Sequence, residues 1–274
     1  MRFVFLGTGT SAGVPAIGCD CEVCTSADPR DNRTRTSGAL LFTDPAGQER
    51  MILIDTGPDL RAQALRERLN RCDAILFTHN HVDHTYGLDE VRRFNAVQKT
   101  PIAIYAEQKT MQDLRRVFAH IFDRDKNVND SFVASLIPHT IEPEKPFTIH
   151  GIRITPIRLI HGKLPIVGFR FDPAGARDAD AKDSPLPLAY CTDVSGIPPE
   201  TWKHLKGLKT LVLDALRHRK HSTHLSLDES LVIAENVGAD HTFFVHMSHD
   251  LGHAHTNAQL PETIKLAHDG LKLP

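Results

Sequence analysis

The chain has 274 residues, 41% of them hydrophobic, and a formal charge of -2 with histidines neutral. That length and apolar content support a substantial buried core, while the charge provides no global positive field for nucleic acid or an anionic membrane. No apolar run approaches the roughly 18 residues needed to span a bilayer, and Met1 to Leu6 is too short and too soon broken by glycine for a signal peptide, so a cytosolic location is the default expectation.

Short β-type runs recur from the start: Arg2 to Leu6, Gly38 to Thr43, Met51 to Asp55, Ala74 to Thr78 and Ile102 to Tyr105. Helical spacing separates them, with Leu60, Ala64 and Leu65 on one predicted face after Pro58, and Met111, Leu114, Phe118 and Ile121 on another after Glu107. A polar stretch follows over Arg124 to Asp130, and strands return at Phe147 to His150, Ile152 to Ile160 and Ile166 to Phe171. Pro173 to Pro187, rich in Ala, Asp, Gly and Pro, reads as a mobile surface loop. Strands at Leu188 to Cys191, Thr210 to Leu213 and His241 to Val245 then alternate with helices at Pro198 to Leu205 and Leu227 to Val237, the latter with a Ser226/Glu229 capping box. No repeat is evident. The order predicts a mixed α/β domain in which outer helices cover two stacked sheets.

The strongest chemical signal is Thr78-His79-Asn80-His81-Val82-Asp83-His84, directly after the apolar run Ile75 to Phe77. A lone histidine at a strand end is more often a hydrogen-bonded surface residue, but four donors leaving one strand can turn His79, His81, Asp83 and His84 towards one point. Imidazole with carboxylate suits zinc, manganese or iron. His161, Asp193 and His246 also follow apolar runs, and with the loop they make seven donors, enough for two ions sharing one carboxylate.

Five cysteines, three of them clustered, form no disulfide framework in a chain of this size. Cys19, Cys21 and Cys24 are too close to be independent structural residues, and a thiolate-rich tetrahedral zinc site wants a fourth ligand, for which His249 is a candidate. Gly7-Thr8-Gly9 lacks the third glycine of a dinucleotide fingerprint.

The order His79, His81, Asp83, His84, His161, Asp193, His246 resembles the metallo-β-lactamase superfamily. That resemblance implies a four-layer αββα sandwich, one domain over residues 1–274, with a dinuclear site at one edge. It assigns His79, His81 and His161 to one metal, Asp83, His84 and His246 to the other, and Asp193 to a bridge. Asp55, in Leu53-Ile54-Asp55-Thr56-Gly57, matches the motif whose carboxylate orients a ligand. Gly7 to Pro15, the cysteine cluster, Thr192-Asp193 and His246-Met247-Ser248-His249 look like the branch containing the phosphoribosyl cyclic phosphate phosphodiesterase of the carbon-phosphorus lyase pathway. The implied chemistry is hydrolysis of a small cyclic or nucleotide-like phosphodiester by a metal-bridged hydroxide, with manganese or zinc in the dinuclear site and a structural zinc on Cys19, Cys21, Cys24 and His249. Asp83 would orient the hydroxide. His224 matches a histidine that similar enzymes, including ribonuclease Z, place near the scissile phosphate.

The readings in competition with this one are ribonuclease Z-like RNA processing, lactam or thioester hydrolysis, and a non-catalytic metal-stabilised binding protein. No long arm for gripping RNA is evident, and no ligand of the pattern is missing. The expected partner is a small phosphodiester, with no membrane, and nucleic acid is disfavoured by the charge without being ruled out. A homodimer has no signature for or against it, and Arg33, Arg35, His218, His221 and His253 have no assigned role.

Overall fold

In the computed structural model, which describes residues 1–123, 125, 131–173 and 184–274, fourteen strands follow one another along the chain. They are β1 (Arg2–Gly7), β2 (Ser37–Thr43), β3 (Glu49–Ile54), β4 (Ala74–Leu76), β5 (Ile102–Ala106), β6 (Leu136–Thr140), β7 (Phe147–Ile149), β8 (Ile152–His161), β9 (Leu164–Pro173), β10 (Leu188–Cys191), β11 (Thr210–Asp214), β12 (His241–Val245), β13 (Ile264–Leu266) and β14 (Lys272–Leu273). One sheet has the order β14-β1-β2-β3-β4-β5-β6 and the other β13-β12-β11-β10-β9-β8-β7. Each sheet changes from antiparallel to parallel pairing part-way across, at β3/β4 in the first and at β10/β11 in the second.

The period of two explains the stacking. In β1, Phe3 and Phe5 enter a core shared with Phe169, Phe171, Tyr190 and Val212 of the second sheet, whereas Val4 and Leu6 face the opposite way. Strands buried on both faces are apolar throughout, which is why they appear as continuous runs rather than alternating ones. The outward face of the first sheet packs against the helices α1 (Leu60–Arg66), α3 (Arg92–Gln98) and α4 (Gln108–Val117), with the short α2 (Val82–Thr85) following β4 and α5 (Ala119–Phe122) following α4. The outer face of the second is covered by α6 (Leu227–Val237), with α7 (His253–Asn257) beside β13. The order of layers is therefore helix, sheet, sheet, helix, as expected.

Several local expectations change. Leu65 is 63% exposed and does not share the buried face of Leu60. Pro199–Leu205 is a 3-10 helix rather than an α-helix, and β6, β13 and β14 were not predicted. The last two are short edge strands, and β6 carries only half-exposed apolar residues, so none has a strong periodic signal. The capping box of α6 is present, with Ser226 Oγ accepting from Glu229 N and Gly238 ending the helix in the left-handed region. The stretch 124–130 and the loop expected over 173–187 lie largely outside the described residues.

Candidate metal centres and their surroundings

Strand ends converge at one edge of the sandwich: Asp55 follows β3, His79 follows β4, His161 ends β8, Asp193 follows β10, Asp214 ends β11 and His246 follows β12. Side chains at the C-terminal ends of strands commonly form sites in such sheets. Three of them leave their strands with left-handed backbone, Asp55 at φ 59°, Asp193 at φ 58° and His246 at φ 60°. A non-glycine residue held there costs on the order of 1 kcal/mol or more, so the fold holds these three side chains against local preference. Gly57 allows the turn after β3 to lie against the loop of Asp83, because a Cβ there would sit 2.2 Å from the Asp83 carbonyl oxygen.

The seven predicted donors come together in two groups, each with ligand atoms within 4.8 Å of one another: His79, His81 and His161, and Asp83, His84, Asp193 and His246. Asp193 lies between them. Its carboxylate oxygens are 3.9 Å from His79 Nε2, 3.2 Å from His84 Nε2 and 3.3 Å from His246 Nε2. Asp83 Oδ2 is 3.3 Å from His84 Nε2 and 3.6 Å from His246 Nε2. All but His81 are buried.

Hydrogen bonds fix the rings from behind. Asp55 Oδ2 lies 2.7 Å from His84 Nδ1, and Asp55 also accepts from the Thr78 backbone N–H at 2.9 Å and its hydroxyl at 2.8 Å. Thr78 Oγ1 is 3.0 Å from His79 Nδ1, and the Thr223 carbonyl accepts from His161 Nδ1 at 2.7 Å. Each contact occupies Nδ1 and turns Nε2 into the cluster, the usual support for a metal-binding imidazole.

Charge in the cluster calls for a cation. Against the opposing effect of burial, Asp193 and Asp83 push His84 well above the ordinary histidine range and His246 up to about 9. Burial and the neighbouring His84 push His79 the other way. The Nε2 atoms of His79, His84 and His246 are buried without a hydrogen-bond partner among the described residues. Orphaned imidazole nitrogens facing carboxylates fit divalent metal ions, and this donor mixture suits zinc or manganese.

His224 stands beside both groups, its ring centroid 4.6 Å from that of His246, in a stacked arrangement, and 4.6 Å from that of His161. Its Nδ1 is 2.8 Å from Asp214 Oδ2, which also accepts the Val194 N–H at 2.7 Å. Burial, with His246 next, lowers His224 to about 4. Asp214 was absent from the sequence expectations, although Leu211-Val212-Leu213-Asp214 carries the same signal as the other strand ends.

On the far side of the loop after β12, the Sγ atoms of Cys19, Cys21 and Cys24 lie 3.1, 3.4 and 3.4 Å from His249 Nδ1. Three thiols and an imidazole in one cluster match a tetrahedral zinc donor set. Arg33, left without a role by the sequence, is buried. Its buried guanidinium donates to the Ser248 carbonyl at 2.8 Å, to the Leu251 carbonyl and to Asp31, locking this loop to the N-terminal segment. Arg35 is 3.2 Å from Asp59.

Residues 50–247 match the Beta-lactamase superfamily domain, a span that contains every strand end described above. The chain belongs to the beta-lactamase superfamily. A diphosphatase of the PhnP family is similar over 100% of this chain and 97% of its own, at 43% identity and a TM-score of 0.86. Zn2+-bound PqqB from Methylobacterium extorquens covers 100% of both chains at 20% identity and a TM-score of 0.76, a likeness of fold alone. An octanoyltransferase of Porphyromonas gingivalis is 34% identical over 99% of this chain and 51% of its own length, so the chain spans about half of that relative. The superfamily fold implies divalent metal ions. No helix among the described residues is long and apolar enough to cross a membrane.

Proposed function

We propose that the protein is a metal-dependent phosphoric diester hydrolase acting on a small cyclic or nucleotide-like phosphodiester, with the phosphoanhydride of a substituted diphosphate as a second bond the same site could cleave. The observation that carries this reading is the placement of His224, backed by Asp214, beside two donor groups with Asp193 between them. A phosphorus in a diester and one in a substituted diphosphate both carry an oxygen leaving group, so one arrangement serves either, and the similar diphosphatase supports the second.

His79, His81 and His161 would hold one ion, Asp83, His84 and His246 the other, and Asp193 both. When bound, the ions supply Lewis-acid charge for the phosphoryl oxygens and acidify water. The chain's own residues do the rest. Asp55 fixes His84, and the Thr223 carbonyl fixes His161. Asp83 would orient the attacking water. His224 Nε2 serves the leaving oxygen, with the negative charge of a bound phosphate offsetting the push that keeps this imidazole neutral. Cys19, Cys21, Cys24 and His249 would hold a structural zinc, and residues 1–274 would act as one metallo-β-lactamase-like domain.

The test is turnover by purified, metal-analysed protein of a panel: ribose cyclic phosphate, cyclic mononucleotides, linear diesters, a dinucleoside diphosphate, precursor transfer RNA and a lactam. Turnover of small diesters or diphosphates is expected. Preference for precursor transfer RNA or the lactam would replace this reading, and a metal-filled protein without hydrolysis would favour a binding role.

A further inference from the structure

Asp55 supports both donor groups, and it reaches one of them only through the hydroxyl of Thr78. Its Oδ2 lies 2.7 Å from His84 Nδ1 and 2.8 Å from Thr78 Oγ1, which in turn lies 3.0 Å from His79 Nδ1. All four residues are buried, so bulk solvent does not compete for these contacts.

The direction of the protons follows from what each group can do. A carboxylate accepts, so the single hydroxyl proton of Thr78 goes to Asp55 and its oxygen is left to accept from His79. His79 Nδ1 is therefore the protonated nitrogen of the neutral ring, and Nε2 carries the lone pair. Nothing on the other side of the ring makes that choice. His79 Nε2 has no hydrogen-bond partner among the described residues, and Asp193 Oδ2, at 3.9 Å, is too far to be one. In the opposite tautomer an N–H would face the cluster, and that nitrogen would have no lone pair for an ion.

The backbone of Thr78 is anchored without the hydroxyl. Its N–H donates to Asp55 Oδ1 at 2.9 Å, and its carbonyl accepts from the Val167 N–H of β9 at 3.2 Å. His84 has its own bond to Asp55 Oδ2 and does not need the hydroxyl either.

We propose that Thr78 is a positioning residue for one of the two ions. Its hydroxyl, oriented by Asp55, selects the His79 tautomer that can ligate, and so sets the affinity for the ion on His79, His81 and His161 while leaving the ion on Asp83, His84 and His246 to the direct bond between Asp55 and His84. This rests on the proposed division of the donors between two ions and deepens it: one carboxylate serves both, directly through His84 and through a hydroxyl at His79.

The experiment uses wild type, Thr78→Val and Thr78→Ser, each with zinc kept on the cysteine cluster and the dinuclear groups stripped. Nitrogen-15 NMR of the histidine rings, with the His79 signals assigned by their absence in His79→Ala, should show wild-type His79 protonated on Nδ1. Thr78→Val should lose that preference. Titration with manganese, which thiolates bind less readily than zinc, should show two binding events in wild type. Thr78→Val should weaken one of them about 10- to 100-fold and the other far less, and Thr78→Ser, which restores the hydroxyl, should recover both the tautomer and the affinity. A wild-type His79 protonated on Nε2, two unchanged affinities in Thr78→Val, equal weakening of both, or no recovery in Thr78→Ser would overturn the role given to Thr78 while leaving the two-ion reading intact. Absence of manganese binding by wild type would overturn the division of the donors, and this inference with it.

Discussion

Asp214 Oδ2 and His224 Nδ1 are 2.8 Å apart, hydrogen-bonded at the end of a strand whose other residues are all apolar or threonine. The pair directs His224 Nε2 away from Asp214, with the ring stacked on His246. Asp214→Asn should keep the metals and lower kcat about 10- to 100-fold, the usual consequence of losing an orienting partner. His224→Ala should cost about 10²- to 10⁴-fold, and the double variant no more than His224→Ala alone. Full activity in His224→Ala with metals retained would remove that residue from the mechanism.

The two donor groups make a different prediction. His81→Ala and Asp193→Ala should abolish turnover through metal loss, visible in the metal content of the purified protein. Asp55→Asn should act through His84 and Thr78, weakening metal affinity by about 10- to 100-fold. Removing metal with a chelator and restoring manganese or zinc should remove and restore turnover in wild type. An Asp193→Ala variant with full metal content would contradict the shared role of that carboxylate.

Replacing Cys21 or Cys24 by serine should lose one zinc per chain and lower Tm, while the two donor groups around Asp193 stay intact. The loop of His249 is also tied down by Arg33 through Ser248 and Leu251, which limits the damage to local loosening. Unchanged zinc content in a variant lacking Cys19, Cys21 and Cys24 would show that the cluster holds no metal.

His253 gives a pH test away from the two donor groups. Burial, then the charges of Arg30, His268 and Arg33, lower it to about 4, with Asp28 opposing. The unfolded chain takes up this proton near pH 6.5 and the folded chain does not until about pH 4, so stability is full above the upper value and falls as pH drops through the window. The full shift corresponds to about 3 kcal/mol, and partial solvation reduces it to roughly 1 to 3. His253→Gln should flatten the dependence of denaturant midpoint on pH between 7 and 4 relative to wild type. Parallel curves for the two proteins would refute the assignment.

Most of the architecture was legible because its strands are buried on both faces and end abruptly in polar residues, as Ile75-Leu76-Phe77 does before Thr78 and His79. Local pattern could not find β13 or β14, whose two or three residues gain their place from pairing with distant strands. Leu65 looked like a core residue from spacing alone, yet it lies beyond the buried arc of a seven-residue helix. At the site, the donor types and their order along the chain announced the two groups, but their supports were harder to see. Thr223 acts through a carbonyl, which any residue has, and Asp214, although it ends an apolar strand as the donors do, carries no local mark of its bond to His224. Arg33 had no assigned role for a related reason: a guanidinium in a loop does not disclose its partner, and here it satisfies two backbone carbonyls and Asp31 inside the protein.

The central claim is that two metal ions on His79, His81, Asp83, His84, His161, Asp193 and His246 cleave a phosphodiester or diphosphate. The direct measurement is hydrolysis of a linear diester, a cyclic nucleotide and a dinucleoside diphosphate by manganese-loaded wild type beside Asp193→Ala, with metal content determined on the same samples. The account predicts turnover of at least one of these by wild type, with two ions bound beyond the cysteine-site zinc, and none by the variant. Two bound ions and no turnover of any of the three, or equal turnover by the variant, would contradict it.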